Sequence, residues 1–129
     1  MTTNGRAVSK PMLWGGWALT ILPAAVLILS GFMKVLKPEF IVTGFAHMGW
    51  PSELAVGLGI VEITSAVLYL IPRTAVLGAI LLTGYLGGAV ATHLRIGEPI
   101  FGAVGLGVIV WLGLYLRDAR IRALAPLRS

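Results

Sequence analysis

The sequence predicts an all-α integral membrane protein: an antiparallel bundle of four spanning helices, with a short interfacial helix between the first and second. Three observations carry that expectation. Hydrophobic residues make up 57% of the 129-residue chain and charged residues only 12%, with a mean hydropathy of +0.93. A soluble domain carries about 25% charge. The apolar residues form four runs, near 13–33, 52–71, 74–94 and 100–116, each about the length that crosses the hydrocarbon core as a helix. The connections between runs are short except for one, so successive spans run antiparallel. The whole chain, 1–129, forms one domain.

Each element has its own signals. The first run, Leu13 to Met33, contains no charge. It lacks a clear small-x-small cleavage site and more membrane segments follow it, so it reads as a retained helix and not a signal peptide. Pro23 in its middle is expected to kink it, with neighbouring helices satisfying the freed carbonyl. Lys34 and Lys37 mark the membrane boundary. The connection from Lys34 to Pro51 carries Phe40, Ile41, Phe45, Met48 and Trp50, which is too apolar for a solvated loop. Pro38 can open a helix there, and Glu39 suits its positive end. An interfacial or re-entrant helix is expected, turning back at Gly49-Trp50-Pro51.

The second span is expected to start with Ser52 as its cap and Glu53 in its first turn. Ala55, Gly59, Glu62 and Ala66 then share one face. Small residues beside a charge are what an inward, closely packed face requires. Pro72-Arg73 makes a tight turn into the third span. There Gly84 and Gly88 form a GxxxG pair, expected to meet a neighbouring backbone, and Tyr85, Ala89 and His93 form a stripe at four-residue spacing. The RIGEP turn at Arg95–Pro99 places Arg95 and Glu98 close enough for a surface ion pair. Arg117, Asp118, Arg120 and Arg122 stop the fourth span at the interface.

Charge excludes some functions and orients the chain. The net charge of +5 does not signal nucleic-acid binding, because the basic residues sit at the ends of the apolar runs and in the tail. Arg6, Lys10, Arg73, Arg117, Arg120, Arg122 and Arg128 fall on one side; Lys34, Lys37 and Arg95 fall on the other. By the positive-inside rule both termini are cytoplasmic, in a multi-pass protein of the cell membrane. With no cysteine in the sequence, disulfides, thiol redox chemistry and cysteine metal sites are excluded. Phosphate-binding GxxxxGK[ST], GxSxG and HExxH motifs are absent.

Glu62 is the leading candidate for chemistry. It is the one carboxylate in the middle of an apolar run, and a charge at the bilayer centre costs about 2.5–3.5 kcal/mol, so it should face the interior and have a partner. It could carry a proton, orient a ligand or simply join helices. Unpaired, it would be neutral; an ion pair with Lys34 would oppose that. His93 is the second candidate, as a proton relay, a quinone hydrogen-bond partner or an axial haem ligand. Lys34, Tyr85 and Thr20 are the candidate ligand-binding groups, because each can lie near the depth of Glu62. Lys34 could instead snorkel outward. A haem held between His47 and His93 is disfavoured, and no metal site is expected.

The pieces SGFMKVLKP, MGWPSELAVGLGIVEITSAVLYLIPRTAVLGA and LGGAVATHLRIGEP, which together run from Ser30 to Pro99, resemble the DoxX-like family of small four-helix membrane proteins. The resemblance implies that fold and little chemistry. The family takes its name from a membrane subunit associated with thiosulfate:quinone oxidation. Three functions follow as expectations. The first is a redox-linked accessory subunit that binds a quinone or other lipophilic molecule between its helices, working with a membrane or soluble oxidoreductase. The second is an isomerase-type enzyme that uses Glu62 as acid and base. The third is a non-catalytic assembly partner.

Overall fold

The computed structural model describes residues 9–124, and most of these are helical. Helix α1 spans Lys10–Leu36, α2 Glu39–Met48, α3 Leu54–Leu70, α4 Ala75–Arg95, α5 Phe101–Arg117 and α6 Ala119–Leu124, with a single 3-10 turn at Pro72–Thr74 between α3 and α4. The four longer helices fall on the four apolar runs of the sequence, and α2 occupies the apolar connection. Arg6 and Arg128 lie outside the described residues.

Local chemistry sets the boundaries. Ser9 caps α1, its hydroxyl accepting from the Met12 amide at 3.3 Å, and Pro11 fits the first turn, where no amide donor is needed. At the other end Lys37 takes a left-handed conformation (φ 55°) and its N–H closes on the Met33 carbonyl. The helix runs unbroken through Pro23, which is fully buried. Pro38 occupies the cap of α2, Glu39 its first turn, and Gly49 ends it at φ 81°. Ser52 does not cap α3. The helix starts two residues later, behind Glu53, and no side chain caps it. Backbone bonds from Leu54 to Pro51 and from Ala55 to Ser52 close that turn instead.

Helices α1 and α4 each pack against both α3 and α5. The shared core joins Ala24 and Leu27 of α1, Ala66 and Tyr69 of α3, Ala79 and Leu82 of α4, and Val110 and Leu114 of α5. Ala55, Gly59, Glu62 and Ala66 are all buried, as their spacing predicts. Large apolar side chains elsewhere point outward on every long helix, among them Leu22, Leu29, Ile60, Ile80 and Val108. An apolar outer surface of this kind suits lipid and not water. Two helical segments, Lys10–Leu36 and Pro72–Arg95, are long and apolar enough to cross a membrane, and α3 and α5 are shorter apolar helices.

Glycines set how closely the helices meet, though not where the GxxxG pattern predicts. A Cβ on Gly59 would lie 2.5 Å from the Gly31 carbonyl oxygen, so α1 and α3 touch backbone to backbone there. Gly16 and Gly113 do the same for α1 and α5, and Gly78 lies against the Tyr69 backbone. Gly84, Gly87 and Gly88 have no neighbour within 4 Å of such a Cβ. The expected backbone contact at Gly84 and Gly88 is therefore wrong: their missing side chains leave open space.

Two other expectations change. Arg95 and Glu98 do not pair with each other. Glu98 binds His47 at 3.0 Å, while Arg95 donates to the Met48 carbonyl and lies over the Trp50 ring. Both residues thus tie the α4–α5 turn to α2 and the turn after it. Arg117 does not simply stop α5 at a boundary. Its guanidinium stacks on Trp17 at 4.3 Å, approaches the Tyr69 ring at 5.3 Å and donates to the Tyr69 carbonyl at 2.9 Å. Its Nε is enclosed without an acceptor, so the aromatic faces compensate part of the charge's lost hydration. Beyond it, burial disfavours the Asp118 carboxylate, but hydrogen bonds from the Arg120 side chain and amide outweigh that and hold its pKa below the ordinary value.

Candidate functional site: a polar wall on an apolar cavity

Glu62 is almost completely buried, at 1% exposure, and it does have partners. Lys34 Nζ lies 2.9 Å from Oε1, and the Tyr85 hydroxyl donates to the same oxygen at 2.9 Å. Lys34 therefore turns inward and does not snorkel. It also donates to Ser30 Oγ at 2.7 Å; Ser30 precedes it by one helical turn, on the same face of α1. Three helices thus converge on one carboxylate oxygen. The ammonium beside it answers the question of pairing left open by the sequence.

These groups form one wall of a cavity of about 510 Å³, a size suited to a small lipophilic molecule. Leu27 and Leu58 contribute apolar surface, and Phe45, Met48 and Trp50 from α2 and its following turn do the same. His93 also lines it, with Nδ1 2.7 Å from the Ala89 carbonyl oxygen. Gly84 and Gly88 border it, which explains their empty surroundings.

The structure brings Glu62, Lys34, Tyr85 and His93 to this cavity and leaves Thr20 outside its lining. Thr20 donates to the Gly16 carbonyl at 2.7 Å, while the Tyr69 hydroxyl donates to the Val110 carbonyl. The 3.4 Å approach of the two hydroxyls therefore finds both protons already committed. Thr20 belongs to the α1–α3–α5 contact and not to the Glu62 cluster. His47 is also elsewhere, 63% exposed and bound to Glu98, so it does not share a ligand with His93. No cluster of three or more metal-ligating side chains occurs among the described residues.

Sequence reasoning missed Trp50 and Thr92, whose side chains hydrogen-bond at 3.3 Å beside the cavity. It also missed Ser30, for which the four-residue spacing to Lys34 was an available signal.

A buried ion pair inside apolar helices fits a small membrane protein. The sequence profile of the DoxX-like family matches residues 18–115, and the chain belongs to that family. No curated protein and no solved structure matches it.

Proposed function

We propose that α1, α3, α4 and α5 cross the cell membrane as an antiparallel four-helix bundle, with α2 at the non-cytoplasmic interface and both termini in the cytoplasm. The two long apolar segments support two crossings. Helices α3 and α5 have 17 residues each, the lower end of the spanning range, and pack between the longer pair. The basic residues support the orientation. Reporter fusions after Arg73 and after Ser129 should give cytoplasmic signals, and a fusion after Glu98 should not. A non-cytoplasmic signal at Ser129 would overturn this topology.

The cavity's role in this reading is to bind a quinone-like or other lipophilic small molecule, and the protein serves as a redox-linked accessory subunit to an oxidoreductase partner. The observation that carries it is the Lys34–Glu62–Tyr85 cluster at the wall of an otherwise apolar cavity. An apolar body with one polar head fits such a site, where a few placed polar groups orient the ligand. Lys34 and Tyr85 position the head, and Glu62 and His93 exchange protons with it. Protein purified in mild detergent should carry a discrete lipophile visible by native mass spectrometry. A bound fraction matching the bulk membrane lipids would count against a dedicated site.

A further inference from the structure

The protons and lone pairs left over at the cavity wall define the head group it accepts. Lys34 and Tyr85 both spend a proton on Glu62 Oε1, and among the described residues none donates to Oε2. The Ala89 carbonyl can only accept, so its contact with His93 puts the proton on Nδ1. In the tautomer protonated at Nδ1 alone, Nε2 is an acceptor. The Trp50 N–H is committed to Thr92, and the Thr92 hydroxyl to the Gly88 carbonyl. The donors that remain lie at the Glu62 end: the third ammonium proton of Lys34, after those given to Ser30 and Glu62, and the hydroxyl proton of Ser30.

A ligand oxygen entering beside Glu62 therefore meets an ammonium donor and a carboxylate acceptor together. A hydroxyl satisfies both, donating to Oε2 and accepting from Lys34. A ketone or ether oxygen answers only the donor and turns its own lone pairs toward Oε2. From this proton count we propose that the cavity selects a hydroxyl-bearing lipophile, an alcohol or phenol with an apolar body, over its carbonyl or ether counterpart. The proposal rests on the lipophile-binding reading above. For a quinone-type ligand it means that the dihydroxy form is the better fit.

Titration calorimetry of the detergent-solubilised protein with para-nonylphenol and with its methyl ether tests this. The phenol should bind at least about tenfold more tightly, since an unanswered buried acceptor costs more than the hydrogen bond itself returns. In Glu62→Gln the amide oxygen keeps Lys34 and Tyr85, and the NH₂ takes the place of Oε2. The preference should then vanish or reverse. Equal affinities in the wild type would overturn the hydroxyl selectivity and leave the lipophile site standing. Binding of neither probe would remove both. An unchanged phenol preference in Glu62→Gln would show that Glu62 is not its source. If that variant does not fold, the wild-type ratio still decides the proposal.

Discussion

Lys34→Met should lower stability in detergent by about 3–5 kcal/mol, the usual cost of stripping one partner from a buried ion pair. The cost arises at Glu62. Its carboxylate is enclosed by the protein, and without the ammonium it keeps only the Tyr85 hydroxyl. Replacing both charges, as in Lys34→Met with Glu62→Leu, should recover most of the loss, because well-packed apolar residues often match or exceed a buried pair. Denaturant titrations of the single and double variants form a cycle that isolates the coupling. If Lys34→Met is as stable as the wild type, the ammonium sits outside at the headgroups and the converging network is not formed.

Glycines give the second large effect, and two of them should behave in opposite ways. Gly59→Ala places a methyl 2.5 Å from the Gly31 carbonyl oxygen. Neither backbone can yield without separating α1 from α3, so the expected destabilisation is about 1–3 kcal/mol or more. Gly88→Leu enters open space and should leave thermal stability close to wild type. It should instead fill the cavity and abolish ligand binding. A stable Gly59→Ala together with an unfolded Gly88→Leu would reverse the assignment of contact and vacancy.

That contrast marks what the chain's own pattern could and could not reveal. Glu62 was legible because a lone acid in a long apolar run must be satisfied internally. Lys34 and Tyr85 were legible as partners because helical rise places them near its depth. Whether Lys34 points in or out was not legible, since both orientations use the same flexible stem. Gly84 and Gly88 show the limit more sharply. A small residue permits a close approach and equally permits a hollow, and only the neighbouring helix decides which. The inward turn of Arg117 depends on Trp17, about a hundred positions earlier in the chain, and no local pattern links the two. The exchange of partners between Arg95 and Glu98 depends likewise on where α2 lies.

Helix α2 differs from the long helices in how it is held. It rests lightly on α3, and its C-terminal end is fastened by His47 to Glu98, by the Met48 carbonyl to Arg95, and, just beyond, by Trp50 to Thr92. Releasing these ties uncovers Phe45 and a few polar groups and leaves the shared core packed. The segment therefore has an opening free energy of its own, below that of global unfolding. Amide protons of residues 39–48 would exchange with solvent ahead of those in α3 and α4. Because Phe45, Met48 and Trp50 also line the cavity, the same local opening would set how long a bound molecule stays, so residence time could change through Glu98 or Arg95 without any change in the groups that touch its head.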